Sequence, residues 1–216
     1  MKNFFLKLGV CALALTGAAE VLAQEQVIQL FAHRGSRFEY DENTLPAFKA
    51  SYDAGLRGFE TDIRMTRDGA LVITHDSSLE RTTDGTGTVE EKTEAEIRQL
   101  ATKQGNKMMF LDELLEFLKG KEGLYVEFEM KTKPEALYPE ERLHAYCDKL
   151  YDAVMAVKPA DATFVFTSGD YRGLRYLQAK HPGVDLLLIT SKPCNDETID
   201  LCKAMGIKRM GATMDG

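Results

Sequence analysis

Proline and cysteine are scarce in this sequence, and tryptophan is absent: its 216 residues include six prolines and four cysteines. No proline-rich, low-complexity or repeated segment interrupts the chain, so neither an interdomain linker nor a repeat protein is indicated. The cysteines lack the spacings typical of metal ligands. The composition therefore predicts one globular domain, and its 44% hydrophobic content is enough for a substantial core.

Basic residues are fewer than acidic residues in this sequence. Lysine and arginine number 27 against 34 aspartates and glutamates, which gives a net charge of −7. Such a chain is a poor partner for nucleic acid, whose phosphates are bound chiefly by positive charge. A small anionic substrate is not excluded, because a bound cation and one or two basic side chains reverse the potential within a site.

Long apolar runs are confined to the N-terminus. A basic start, residues 1–7, is followed by a largely apolar stretch that closes at Val21-Leu22-Ala23. This pattern is typical of a secretory signal peptide, residues 1–23, cleaved after Ala23. A membrane anchor is the alternative, but the run is short for a span and Glu20 interrupts it. We expect residues 24–216 to be exported, periplasmic or secreted, without a stable membrane anchor.

Three cysteines lie beyond the predicted cleavage site, at positions 147, 194 and 202. Export favours disulfides, but an odd number leaves at least one thiol unpaired. Cys147 falls in a strongly helical segment and is expected to be buried. Cys194 and Cys202 either form a bridge or stay as two thiols, and the sequence leaves both outcomes open.

Short apolar runs alternate with helical periodicity along the rest of the chain. Strands are predicted at 27–32, 59–65, 70–74, 124–130, 163–167, 184–190 and 208–212, and helices at 43–54, 111–119, 139–157, 171–180 and 197–205. Repeated strand and helix units predict a parallel sheet, and polar groups at successive strand ends favour a closed TIM-type (β/α) barrel. About six of the eight strands are present, so we expect either a barrel truncated at its C-terminus or an open sheet.

Two histidines follow apolar runs that are predicted strands. They are His33 and His75, and between them Glu60 and Asp62 lie two residues apart. In a strand these two carboxylates share a face, where burial without a cation or donors is costly. Two imidazoles beside a carboxylate pair suit metal-assisted phosphoryl or acyl hydrolysis. A pair of salt-bridged structural acids is the alternative interpretation.

A second polar cluster repeats this pattern further along the chain. Glu127, Glu129 and Lys131 alternate with apolar neighbours and are expected to point to one side of a strand. A third carboxylate from another strand favours a metal site, and oxygen ligands alone favour Mg²⁺ or Ca²⁺. Lys131 offers a positive charge to a phosphoryl oxygen or neutralises Glu129, and Arg34 beside His33 offers a guanidinium matched to phosphate.

Taken in order, these motifs resemble the glycerophosphodiester phosphodiesterase family. The resemblance rests on His33-Arg34-Gly35, Glu42-Asn43-Thr44, Ala47-Phe48, Gly58-Phe59-Glu60-Thr61-Asp62, Thr66-Arg67-Asp68-Gly69, His75-Asp76, Arg81-Thr82-Thr83 and Glu129-Met130-Lys131. It implies a barrel of the phospholipase C-like phosphodiesterase superfamily, with a small insertion after the second strand at about residues 76–110. The implied reaction is hydrolysis of a small glycerophosphodiester to glycerol 3-phosphate and an alcohol.

The resemblance also implies residue roles. By position, His33 and His75 match the general acid and base pair, and Glu60, Asp62 and Glu129 match the ligands of a divalent cation. Arg34 and Lys131 match phosphate contacts, and Glu42 matches a supporting acid. Glu127 stands where relatives often have a neutral residue, so it either tightens cation binding or pairs with Lys131.

The chain departs from the family pattern in a second respect besides Glu127. Relatives carry later strands, one with an aromatic residue that packs on glycerol, whereas this chain lacks tryptophan and ends earlier.

Two rival functions are considered. The first is a non-catalytic exported binding protein on the same barrel, which would have lost catalytic positions, yet all the matched ones are intact. A phospholipase C or D type enzyme would need an apolar rim, for which residues 107–110 are the sole candidate.

Overall fold

The computed structural model describes residues 30–36 and 38–213. The predicted signal peptide, residues 1–23, and the start of the first predicted strand, residues 27–29, lie outside these ranges. The strands are β1 (Phe31–His33), β2 (Gly58–Met65), β3 (Leu71–Ile73), β4 (Tyr125–Met130), β5 (Thr163–Ser168), β6 (Leu186–Pro193) and β7 (Arg209–Thr213). The helices are α1 (Leu45–Asp53), α2 (Glu94–Ile97), α3 (Leu111–Leu118), α4 (Glu140–Val157), α5 (Tyr171–Lys180) and α6 (Asp196–Ala204), with short 3₁₀ turns at Val89–Glu91 and Glu135–Leu137.

Six of the strands form a curled parallel sheet in the order β1-β2-β4-β5-β6-β7. The short β3 pairs antiparallel with the end of β2 and stands off this path. Helices α1, α3, α4, α5 and α6 connect or cover the parallel strands. The predicted incomplete TIM-type barrel, with about six of eight strands, is confirmed.

Apolar and polar residues alternate along the strands, so the sheet has one apolar face and one polar face. In β2, Phe59 and Ile63 belong to the main core, which packs between the sheet and the helices. In β4, Phe128 is fully buried there and contacts Phe164 edge-on, with ring centroids 5.3 Å apart. The intervening residues point to the concave side of the sheet, because successive strand side chains face opposite ways. The carboxylates identified in the sequence therefore lie inside the barrel.

The segment between β3 and α3 is the predicted insertion after the second strand. With Val72 of β3 it forms a small second core, whose other members are Leu79, Val89, Ile97, Met108 and Phe110. Thr93 and Glu96 form a capping box at the start of α2. Met108 and Phe110 are 6% and 2% exposed, so this candidate for bilayer contact is core instead. Within the described residues, no helix is long and apolar enough to cross a membrane.

Predicted and observed element ends agree closely. Helix α5 has the predicted bounds, and α1, α3, α4 and α6 differ by one or two residues. The largest difference is β6, predicted at 184–190, which starts at Leu186 and continues to Pro193 across a register irregularity. The additional residues of β6 pair with β7, and a pattern within β6 alone does not encode this pairing. Cys147 is buried as predicted, and Cys194 and Cys202 are free thiols.

Candidate active site

The loop after β1 turns sharply and carries two of the predicted site residues. Arg34 and Gly35 both have positive φ, at 55° and 79°. A Cβ on Gly35 would lie 2.7 Å from the Cβ of Ala47 in α1, so only glycine fits between the turn and this helix. The turn brings the Arg34 amide to 3.1 Å from Glu60 Oε2 in the neighbouring strand. His33, the last residue of β1, has its Nε2 3.5 Å from the same oxygen.

Three carboxylates meet on the concave face. Parallel pairing sets Asp62 of β2 opposite Glu129 of β4, and Glu60 opposite His33 of β1. One oxygen from each of Glu60, Asp62 and Glu129 can be chosen so that all three lie within 4.8 Å of one another. Oxygens bound to one Ca²⁺ at about 2.4 Å stand at most about 4.8 Å apart. The three predicted ligands thus have the spacing that a single cation requires.

Burial makes this acidic cluster costly without a cation. Desolvation, together with the charges of Asp62 and Glu129, raises the pKa of Glu60 well above its usual value. Burial also raises the pKa of Glu129, against the opposing effect of Lys131. Among the described residues, Glu60 Oε1 and Asp62 Oδ1 are buried without a hydrogen-bond donor. Orphaned oxygens in an all-oxygen donor set fit a hard divalent cation.

Two basic side chains flank the carboxylates. Lys131 Nζ lies 2.8 Å from Glu129 Oε1 and 3.6 Å from Asp62 Oδ1. Arg34 Nε lies 3.3 Å from Asp62 Oδ2, on the opposite side of that carboxylate. Both side chains are largely buried, at 16% and 13% exposure. A positive charge thus borders the acidic cluster on each side.

Glu42, the predicted supporting acid, holds Arg34 in place. Its carboxylate accepts a hydrogen bond of 3.0 Å from Arg34 Nη1 and two from Arg81, of 3.0 and 2.6 Å. Burial alone would raise the pKa of Glu42, but the two arginines outweigh it and lower the value. Glu42 therefore stays charged and connects the β1 loop to the insertion.

His75 reaches the site from the other side, two residues beyond β3. Its Nδ1 lies 2.6 Å from Asp76 Oδ1, so Nε2 is the ring nitrogen left to face a substrate. Asp76 also accepts from Arg81 Nε. Burial opposes ionisation of Asp76, but these two partners hold its pKa at about 2. A cavity of about 330 Å³ is lined by His75, Glu129 and Lys131 among others.

Residues that the sequence interpretation did not single out support this geometry. Asn43, with a φ of 58°, donates from Nδ2 to Asp62 Oδ2 at 2.8 Å. Asp76 and Arg81 were seen only as parts of motifs. An acid next to a predicted catalytic histidine is a usable signal for Asp76. Nothing local in the sequence identifies Arg81 as the link between Glu42 and Asp76.

Glu127 does not belong to the cluster of three carboxylates. It is opposite Glu60 in the register, two residues before Glu129 in β4, and its neighbours include the Tyr125 hydroxyl and the Arg209 guanidinium. Burial raises the pKa of Glu127. Lys131 is paired with Glu129 and Asp62, so the pairing with Glu127 considered from the sequence is not formed.

A parallel (β/α) sheet with three carboxylates, two histidines and two basic groups at its mouth has the makeup of a barrel phosphodiesterase. A sequence profile of the glycerophosphoryl diester phosphodiesterase family matches residues 33–213. The chain belongs to this family, as the motifs predicted.

Curated proteins and solved structures agree with this assignment. A glycerophosphodiester phosphodiesterase of Caldanaerobacter subterraneus is 37% identical over 123 residues, which are 53% of this chain and 50% of that protein. Human glycerophosphodiester phosphodiesterase 1 is 42% identical over 83 residues, 38% of this chain and 25% of that protein. The chain thus matches half or less of the length of these relatives.

Among solved structures, an Oleispira antarctica phosphodiesterase in complex with the product sn-glycerol-3-phosphate superimposes with a TM-score of 0.76. The superposition covers 86% of this chain and 74% of that one, at 25% identity. A glycerophosphoryl diester phosphodiesterase from Parabacteroides distasonis is 26% identical, with a TM-score of 0.66 and coverage of 88% and 64%. The incomplete barrel is thus similar to most of a family barrel.

Proposed function

We propose that this protein hydrolyses glycerophosphodiesters to sn-glycerol 3-phosphate and an alcohol, with the help of a bound Mg²⁺ or Ca²⁺. Membership of the family supports the reaction class, and the product bound to the Oleispira relative supports the product. The observation that carries the proposal is the close approach of the Glu60, Asp62 and Glu129 carboxylates. Two oxygens of this cluster, Glu60 Oε1 and Asp62 Oδ1, are buried without a hydrogen-bond donor.

Every predicted site residue except Glu127 has a role in this proposal. Glu60, Asp62 and Glu129 would hold the cation, which when bound offsets negative charge on the phosphoryl oxygens. Arg34 and Lys131 bind these oxygens as well, and Glu42 orients Arg34. Preorganised donors to developing charge are each worth roughly 2.7–4 kcal/mol of the barrier.

The histidines move the protons. One takes a proton from the attacking water as the oxygen of that water bonds to phosphorus. The other gives a proton to the oxygen of the leaving alcohol as its bond to phosphorus breaks, so the two products together hold the atoms of the diester and one water. His33 lies next to Glu60, and His75 lines the cavity beside Glu129, so the two histidines lie on two sides of the acidic cluster.

Release of glycerol 3-phosphate from glycerophosphocholine tests the proposal. We expect turnover that a chelator abolishes and that added Mg²⁺ or Ca²⁺ restores, with the two cations tested in parallel on stripped protein. Glu60→Gln should lose both turnover and cation binding, whereas Glu96→Gln, a change at an exposed position in α2, should lose neither. Turnover that persists in chelator would contradict the metal requirement. No turnover under any cation would contradict the reaction.

We also propose that the protein is exported. The basic and apolar pattern of residues 1–23 supports a cleaved signal peptide. Expression of the full chain in a bacterium, followed by fractionation and N-terminal sequencing, should give a periplasmic or secreted protein that starts at Gln24. Recovery of protein that retains Met1 would contradict cleavage.

A further inference from the structure

Arg64 is a buried arginine that the proposed reaction does not use. It lies in β2, two residues beyond Asp62, and its side chain is 7% exposed. Its Nε donates to the backbone oxygen of His75 at 2.9 Å. Its Nη1 lies 3.2 Å from the backbone oxygen of Lys131 and 3.4 Å from that of Lys133. One guanidinium thus contacts the two backbone segments that carry a catalytic histidine and a phosphate-binding lysine.

Glu90 balances the charge of Arg64. Its side chain is 3% exposed, and Oε1 lies 2.8 Å from Arg64 Nη1. The same oxygen accepts from the hydroxyl of Tyr138 at 3.1 Å, and Oε2 accepts from Ser77 Oγ at 2.6 Å. No polar side-chain atom of this pair is a buried orphan in the described part of the chain. Through these hydrogen bonds Glu90 and Ser77 of the insertion are joined to Arg64 of β2, so the network connects the insertion to the barrel.

The contacts of Arg64 require arginine geometry. His75 is 11 residues from Arg64 in the chain and Lys131 is 67 residues from it, so one side chain joins two segments that are distant from each other in the sequence. A guanidinium presents donors in a fixed plane and can serve several acceptors at once. A lysine at this position keeps the charge but offers a single flexible ammonium.

We propose that Arg64, held by Glu90, is a positioning residue that fixes His75 relative to Lys131 across the mouth of the barrel. The inference rests on the proposed function for its kinetic consequence. Arg64 acts through the backbone of its two neighbours and needs no contact with substrate. Misplacement of a reacting group by about 1 Å costs on the order of 100-fold in rate.

The test compares Arg64→Lys with a matched change at Arg142. Arg142, from α4, also donates to backbone oxygens at the end of β2, those of Met65 and Thr66, at 2.8 and 2.9 Å. Arg142 touches neither His75 nor Lys131 in the contacts described. For Arg64→Lys we expect kcat to fall by about 10- to 100-fold, with KM and cation affinity changed less than about twofold. Arg142→Lys should leave kcat unchanged even where it lowers Tm.

Two further measurements separate positioning from simple stabilisation. Glu90→Gln keeps the shape and one acceptor oxygen, so it should retain more kcat than Glu90→Ala. Hydrogen exchange reports the geometry without activity. In Arg64→Lys the amide of Val89, which donates to the Ser77 oxygen, should exchange faster, while amides of α4 stay as in the wild type.

The outcomes distinguish this inference from the proposed function. If the wild type turns over substrate and Arg64→Lys has the same kcat, the positioning role is overturned and the proposed function stands. Equal losses of kcat in Arg64→Lys and Arg142→Lys would make Arg64 merely structural and overturn the role as well. If the wild type does not turn over, the function fails, and hydrogen exchange at the insertion decides whether Arg64 holds this loop.

Discussion

His33 and His75 are held in different ways, although both were predicted to move protons. The ring of His33 stands beside Glu60 and is half exposed, whereas Asp76 binds the ring of His75 through Nδ1. Asp76 in turn is fixed by Arg81, which also binds Glu42. The second histidine is therefore oriented by a chain of charged groups that reaches across to the loop of the first.

Removal of either imidazole should abolish most turnover without unfolding the protein. We expect His33→Ala and His75→Ala each to lower kcat by about 10²- to 10⁴-fold, the usual worth of general acid or base catalysis. Circular dichroism and Tm should stay close to those of the wild type. His144→Ala is the control, because His144 stacks on Tyr176 away from the cluster. A histidine variant that keeps most of the wild-type rate would contradict its assignment.

Asp76 should make stability depend on acid pH. Its pKa is about 2 in the folded protein against an ordinary 3.8. A lowered folded pKa means that the contribution is complete above the ordinary value and is lost as pH falls towards 2. We expect the Tm difference between wild type and Asp76→Asn to be constant near neutrality and to shrink from about pH 4 downwards. A difference that does not change with pH would contradict this.

At the scale of elements, helices matched their predicted bounds better than strands did. Helix α5 begins after Asp170, whose side chain accepts from the Arg172 amide, and such caps are visible in the sequence. The extent of a strand depends on its partners. The strand β6 extends to Pro193 because β7 pairs with it, and β3 pairs antiparallel because the chain turns back at residues 67–69.

The packing of α1 against the turn after β1 should make Gly35 irreplaceable. Gly35→Ala combines a positive φ, costing about 1–2 kcal/mol, with overlap onto Ala47, costing about 1–3 kcal/mol more. Gly105→Ala isolates the first cost, because Gly105 has a φ of 82° and a Cβ added there would have no atom within 4 Å. Urea denaturation of both variants measures the difference. Equal losses would show that α1 yields to the extra methyl group.

At the scale of the whole molecule, the sheet brings together charges that are costly to keep together without a counter-ion. Two buried carboxylate oxygens are orphans, and the flanking Lys131 and Arg34 offset the acidic charge only in part. The insertion has its own small core, begins directly after His75 and contacts the β1 loop through Arg81 and Glu42. Cation binding should therefore be linked to the stability of the whole domain.

A cation that binds the folded protein alone should raise its Tm. At a concentration of about 100 times Kd the gain is about 2.7 kcal/mol, and a chain of this size gains about 2–4 °C per kcal/mol. We expect a rise of several degrees in the wild type with Mg²⁺ or Ca²⁺, seen by thermal scanning and reversed by chelator. Asp62→Asn should lose the rise. Identical melting of stripped and loaded wild type would argue against a cation at these carboxylates.

The sequence alone determined the order of the strands and of the five longer helices, and it identified the three carboxylates and Lys131 on the inner face of the sheet, while it left a barrel and an open sheet as alternatives. These features follow from local rules: hydrophobic period, caps and turns, and the alternation that sets Glu60 and Asp62 on one face. The family motifs added the expected pairing of His33 with His75.

Tertiary structure alone decided how these groups meet. Register set Asp62 opposite Glu129, and the fold of the insertion brought Arg81 between Glu42 and Asp76 and Glu90 against Arg64. It also separated Glu127 from Lys131, which the spacing had allowed to pair. Such contacts join residues far apart in the chain, so they are fixed by the pairing of strands and the packing of loops, which no local pattern encodes.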